Sequence, residues 1–169
     1  MSAGLRSDHG FTLIELLVGL VIIAVVATAV SLTLGRDRGP QRLLQSAQRM
    51  QAMITTHCRQ AAILQGQVIG LLVDGESYQF LTQQDEYWLP AAGLEATDLP
   101  AGIQAWTWLD GQPVRPDLSR DELPRPQVLC LPSGEMTPFS IRLQLATPAT
   151  VVHLEGAGGG DLRLLHDAL

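Results

Sequence analysis

Six residues near the start of the chain, Gly10-Phe11-Thr12-Leu13-Ile14-Glu15, form the pattern with the most chemical content. From Phe11 to Leu34 the only formally charged side chain is Glu15; the rest is Leu, Val, Ile, Ala and Gly with an occasional Thr or Ser. An acidic residue at the centre of a membrane-spanning helix costs roughly 3 kcal/mol, and less near one end, so this carboxylate needs a reason. One reading places Glu15 at the membrane interface, reaching water. The other has it neutralise a positive charge brought to the same depth. A cut between Gly10 and Phe11 supplies that charge as a new α-ammonium within the first helical turn, and Glu15 of one subunit would pair with the ammonium of its neighbour.

The element that must position this pair is the apolar run itself. As a helix, residues 11–34 span about 36 Å, enough to cross a hydrocarbon core of roughly 30 Å, so the run reads as a transmembrane helix in contact with membrane lipid. Ala27-Thr28-Ala29 offers an ordinary signal peptidase a small-x-small site, giving a chain that starts at Val30 or Ser31. Against that, the ten-residue leader contains Asp8 and only Arg6 as a side-chain cation, and the run continues well past the site. Gly35-Arg36-Asp37-Arg38-Gly39-Pro40 follows. Pro40 removes a backbone donor, and a helix passing through it is expected to kink at a cost of about 3 kcal/mol.

Beyond Pro40 the pattern turns amphipathic. Leu43, Ala47, Met50, Ile54, Cys58 or His57, Ala61 and Leu64 recur at steps of three and four among Gln and Arg, which predicts a helix with one buried stripe ending near Gly66. Strand periodicity begins at Gln67. A hairpin is expected from Gln67–Val73 and Ser77–Thr82 around Asp74-Gly75, with a short strand at Tyr87-Trp88-Leu89 and a loop at 91–100. Ile103–Leu109 alternates with Trp106 and Trp108 on one face. Residues 112–126 hold four prolines among charges, which bars a central strand and reads as an exposed loop. Strands follow at 127–131, 138–145, 150–154 and 161–165, with Phe139, Ile141, Leu143 and Leu145 directed to the core. The expected class is α+β: a long N-terminal helix, transmembrane in its first half, packed on an antiparallel β-sheet domain. The segments are a leader at 1–10, a transmembrane helix at 11–34, its amphipathic continuation at 35–66 and a β domain at 67–169.

Bulk properties and failed motifs exclude several functions. With 169 residues there is room for one domain with a core beyond the span, and hardly a second. A formal net charge of −6 and no Lys/Arg cluster beyond Arg36 and Arg38 argue against nucleic acid as a partner. His57, His153 and His166 have no serine in a nucleophile elbow to join, because Pro132-Ser133-Gly134-Glu135 lacks the flanking glycine spacing. Gly156-Ala157-Gly158-Gly159-Gly160 lacks the Lys-Ser/Thr of a phosphate-binding loop. No spacing of His, Cys or carboxylates is of metal type, so neither metal, cofactor nor catalysis is expected.

The six-residue pattern, with a short hydrophilic leader before it and an apolar helix after it, resembles the prepilin signature of type IV pilins and type II secretion pseudopilins. The segment Leu129-Cys130-Leu131-Pro132-Ser133-Gly134-Glu135-Met136-Thr137-Pro138-Phe139, with a helix passing directly into a hairpin, is similar to the H-type minor pseudopilins and their relatives among minor pilins. The resemblance implies a pilin-like fold, cleavage after Gly10 by a prepilin peptidase, N-methylation of Phe11 by the same enzyme, and a role for Glu15 in guiding assembly. It implies an inner-membrane protein, single-pass, with its C-terminal domain in the periplasm, although charge alone would orient the span the other way because Arg36 and Arg38 outnumber the leader's cations. The implied partners are other minor and major pseudopilins, the inner-membrane assembly platform and secreted substrates. The implied role is a subunit at or near the tip of the pseudopilus that assists export of folded proteins. A minor pilin of a type IV pilus, active in assembly initiation or DNA uptake, is the alternative. In an oxidising periplasm Cys58 and Cys130 would be able to form a disulfide worth about 4 kcal/mol in the chain-entropy model, or remain two separate buried thiols.

Overall fold

The computed structural model describes residues 12–36, 38–116, 125–147 and 149–166. The chain divides into two compact units, Met1–Arg38 and Gly39–Leu169. The first contains α1 (Leu13–Arg36). Its side chains are described as far as residue 28, and within that stretch the large apolar ones lie open on every side, 50 to 82% exposed. Among the described residues no helix is long and apolar enough to cross a membrane.

The helical part of the second unit comprises α2 (Arg38–Met53), a π-helical turn (Ile54–Gln60) and α3 (Ala61–Gln65). Pro40, where a kink was expected, lies in α2 two residues after Arg38; residue 37, which separates α1 from α2, lies outside the described residues. Gly66, at φ 64°, ends α3 in the left-handed conformation that glycine adopts without a steric penalty. Leu43, Ala47, Met50, Ile54, Cys58 and Ala62 are fully buried and form the core stripe. The steps of three and four put Ala61 and Leu64 on that stripe instead. Ala62 takes the place because the wider π turn shifts the helix phase by one residue.

Strands β1 (Ile69–Val73), β2 (Ser77–Gln84), β3 (Tyr87–Pro90), β4 (Thr97–Asp98), β5 (Ile103–Leu109), β6 (Gln112–Val114), β7 (Val128–Cys130), β8 (Phe139–Leu145), β9 (Thr150–Gly156) and β10 (Leu162–His166) follow. They make two antiparallel sheets, ordered β3-β2-β1-β7, with β4 also on β2, and β10-β9-β8-β5-β6. All five residues of β1 are buried. Gly70 in its middle leaves room for Pro126 and Trp88 to sit against the backbone, so the outer face of this sheet is covered as well.

Two expected loops contain strands. Thr97–Asp98 pairs with Ser77 and Tyr78, and Gln112–Val114 pairs with Thr107–Leu109. Because β6 lies at a sheet edge, Pro113 needs no outward partner for the N–H it lacks, the one place a strand tolerates proline. Residues 117–124 of the proline-rich stretch lie outside the described residues. On β8 the residues Phe139, Ile141, Leu143 and Leu145 all face inward, and on β5 the inward face is Ile103, Ala105 and Thr107, which sends Trp106 and Trp108 outward. Phe139 lies opposite Gly156, whose missing side chain makes space for the ring. The core is the space between the helical stripe and the inner faces of both sheets.

Candidate functional site

Gly10 and Phe11 lie outside the described residues. What the structure describes is the helix end they lead into. Thr12 caps α1: the Glu15 N–H donates to Thr12 Oγ1 at 3.3 Å and to the Thr12 carbonyl at 3.0 Å, and Leu16 N–H donates to the same carbonyl at 3.2 Å. Thr12 and Glu15 thus stand at the spacing of a capping box, in which the glutamate at the third helical position also reaches back to the cap. Glu15 is exposed and lies in the first helical turn, where the unpaired N–H groups present partial positive charge. A carboxylate is favoured at this position by the helix end alone. Sequence reasoning weighed an interfacial carboxylate against a charge pair for Glu15 and passed over the cap, although the Thr-x-x-Glu signal was available.

A second constellation joins the helix to both sheets. Cys58, in the π turn, is disulfide-bonded to Cys130 at the end of β7, with Cα atoms 5.6 Å apart, and both residues are fully buried. Next to it Arg59 Nη1 donates to the Gly160 carbonyl at 3.2 Å in the β9–β10 turn, and about two turns earlier Gln51 Nε2 donates to the Leu162 carbonyl at 3.3 Å. Beyond Cys130 the chain folds tightly: Leu131 N–H donates to Glu135 O at 2.8 Å, Gly134 N–H to Leu131 O at 2.9 Å and Met136 N–H to Gly158 O at 3.0 Å. Gly134, at φ 88°, packs against Ile63 of α3. The segment Leu129–Phe139 is therefore a junction where helix, first sheet and second sheet are stitched together.

The chemistry available there is that of packing and hydrogen bonding. The Ser133 hydroxyl donates to Glu135 Oε2 at 3.1 Å, on an exposed turn. His57 faces Phe80 with ring centres 6.2 Å apart, while His153 is on β9 in the other sheet, and the side chain of His166 lies outside the described residues. Among the described residues no three His, Cys, Asp or Glu side chains gather as a metal site would require. The buried Tyr78 hydroxyl meets no partner at good hydrogen-bonding geometry, and burial pushes its ionisation above the usual 10.0, with Thr97 and Arg49 pulling the other way.

Comparison with known proteins bears on both the helix end and the stitched domain. Residues 5–31 match the family described as the prokaryotic N-terminal methylation motif. The chain is 31% identical over 148 residues to type II secretion system protein H of Aeromonas hydrophila, covering 80% of each chain. It is 34% identical over 147 residues to the protein of the same name from Pseudomonas aeruginosa, covering 82% of this chain and 84% of that one. The minor pseudopilin EpsH from the type 2 secretion system of Vibrio cholerae superposes with a TM-score of 0.62 at 27% identity, over 76% of this chain and 98% of the other. GspH of E. coli shares the fold, with a TM-score of 0.61 at 22% identity over 78% of this chain and 92% of that one. The chain belongs to the type II secretion system protein H family, the H-type minor pseudopilins.

Proposed function

We propose that this minor pseudopilin is a structural subunit at or near the tip of the periplasmic pseudopilus, where it helps move folded proteins toward the outer membrane. The observation that carries the reading is the identity of about a third, over four-fifths of the chain, to proteins named type II secretion system protein H. In this reading residues 11–34 anchor the subunit in the inner membrane and the β domain stands in the periplasm. Its partners are other minor and major pseudopilins, the assembly platform and the prepilin peptidase, with membrane lipid around the span. The secreted cargo meets the assembled filament.

The residues suggest how assembly would be driven. Cleavage after Gly10 and methylation of Phe11 leave an N-methylated α-ammonium beside the capped end of α1. In the low-dielectric border of the membrane an ammonium and a carboxylate at about 4 Å attract by several kcal/mol, far more than in water. An unpaired Glu15 is penalised there, so each subunit is driven to dock against a neighbour's amino terminus. Glycine at position 10 suits the peptidase because the scissile peptide must approach the enzyme closely.

Mass spectrometry of protein extracted from membranes tests the reading: the mature chain is expected to begin at a methylated Phe11. A start at Val30 or Ser31 would mean ordinary signal processing, and a working protein that keeps its first ten residues would remove the assembly mechanism. Glu15→Leu is expected to be inserted and cleaved normally yet recovered poorly in crosslinks to neighbouring pseudopilins; normal crosslinking would eliminate the charge pair.

A further inference from the structure

The π-helical turn is the most unusual piece of backbone in the domain, since π turns are rare and occur mostly as short insertions at functional places. The Ala61 N–H is shared between the Thr56 carbonyl, five residues back as in a π turn, and the Cys58 carbonyl three residues back. Upstream, Thr55 Oγ1 donates to the Gln51 carbonyl at 3.0 Å, a side-chain competitor that loosens an α-helix locally.

The sequence through this turn fits two registers. In an α-helix each residue advances about 100°, so measured from Ile54 the residue on the core face is Ala61, about 20° away, while Ala62 is about 80° off. In α phase Leu64 also falls about 80° from the core direction and Ile63 faces about 180° away from it. The observed register is the other one. Ile54, Cys58 and Ala62 line up at successive steps of four, all fully buried. Leu64 is 78% exposed and Ile63 47%. Two contacts hold this arrangement, the Cys58–Cys130 bond and the hydrogen bond from Arg59 to Gly160, and both come from neighbouring residues of the π turn.

We infer that the Cys58–Cys130 disulfide is a latch: oxidation of the pair fixes the π register and so selects which face of Ala61–Gln65 meets the core. With the two thiols unbonded, the α-helical register is the preferred one, Ala61 replaces Ala62 against the core, and Leu64 turns inward as Ile63 turns out. The chemistry is a thiol–disulfide exchange. One cysteine thiolate attacks a disulfide of an oxidant of the thiol–disulfide class, and the second cysteine thiolate then displaces the mixed bond. One S–S bond breaks in the oxidant and one forms between Cys58 and Cys130. The two electrons and the two thiol protons end on the oxidant's dithiol. Because both sulfurs are fully buried once the turn is seated, a reducing thiol has no line of attack without opening the helix end. The latch therefore closes once.

Hydroxyl-radical footprinting of the purified full chain in detergent reads the register directly, through the ratio of modification at Leu64 to that at Ile63. In the disulfide-bonded protein Leu64 is modified more than Ile63. In Cys58→Ala/Cys130→Ala the ratio is expected to invert, with modification falling at Leu64 as it turns to the flank of the core stripe and rising at Ile63 as it turns outward. Loss of folding raises both residues together and is thereby told apart from a register change. An unchanged ratio in a folded double variant overturns the latch. If the double variant does not fold, deletion of Thr56 in the same background removes the extra residue of the π turn. That deletion is expected to restore folding with Leu64 again more modified than Ile63, and failure to do so overturns the proposal equally.

Discussion

Leu17 of α1 and Leu43 of α2 are the same residue on the same kind of backbone, yet Leu17 is 58% exposed and Leu43 is wholly buried. Around Leu17 every neighbour on the helix is apolar, so no turn of α1 distinguishes an inner face from an outer one. Around Leu43 the apolar positions form one stripe and glutamines and arginines the rest. A helix with a stripe finds its partner within its own chain, as α2 does against two sheets. A helix that is apolar all round must have its surroundings supplied from elsewhere, which is why lipid and neighbouring subunits are proposed for residues 11–34.

The contrast breaks most visibly under truncation. Leu43→Ala removes a fully buried side chain and is expected to lower the unfolding free energy of the domain by about 3 kcal/mol. Leu17→Ala is expected to change it by no more than about 0.5 kcal/mol. Trp88, Trp106 and Trp108 all lie beyond residue 39, so denaturant unfolding of the full chain in detergent, followed by tryptophan fluorescence, reports the domain alone. Equal costs for the two variants would mean that α1 is part of the same cooperative unit.

A smaller effect sharpens what an interior means here. Gln127 is buried, and its side chain continues the β-ladder where the backbone does not: Val73 N–H donates to Gln127 Oε1 at 2.9 Å, and Gln127 Nε2 donates to the Val73 carbonyl at 2.8 Å. Gln127→Leu keeps the volume and leaves both Val73 groups unpaired, for an expected loss of about 2 kcal/mol. Gln127→Glu retains an acceptor for Val73 N–H but offers the carbonyl nothing, and buries a charge. It is expected to fall below Leu at neutral pH and to recover as pH drops. An unfolding midpoint unchanged in both variants would show that water reaches this strand end.

How much of this was legible in the residues depends on how local the cause is. The strand at Phe139–Leu145 alternates without interruption, and its burial follows the alternation residue by residue. The helical stripe was legible up to Ile54 and then lost, because a period of 3.6 was assumed through a turn that does not keep it. The signal was present as three successive steps of four, Met50-Ile54-Cys58-Ala62, which an α-helix does not sustain on one face. The division of the strands into two sheets was not legible, because it depends on pairings between strands far apart in sequence, such as β1 with β7 and β5 with β8. At the candidate site the six residues Gly10–Glu15 stood out by their resemblance to a prepilin signature. The junction around Cys58, Arg59 and Gly160 depends on tertiary placement and left only its glycines and cysteines as traces.

The smallest expected effect concerns Tyr78, whose buried hydroxyl meets no partner at good hydrogen-bonding geometry, although the Thr97 side chain is near enough to favour its ionised form. Removing the hydroxyl costs at most one weak contact, so Tyr78→Phe is expected to be close to neutral at pH 8. The pH dependence carries the information. Burial raises the ionisation of Tyr78 above its ordinary 10.0, so the folded state holds the phenol proton more tightly than the unfolded chain does. The stability that this proton contributes is complete below pH 10 and drains away as pH rises toward the folded-state value, because only the unfolded chain gains by ionising there. Unfolding midpoints measured at pH 8 and pH 11 should therefore diverge: the wild type falls further than Tyr78→Phe, which lacks the titrating group. Parallel declines would mean that the phenol ionises as readily inside the domain as outside it, and that the interior is open to water where α2 meets the sheets.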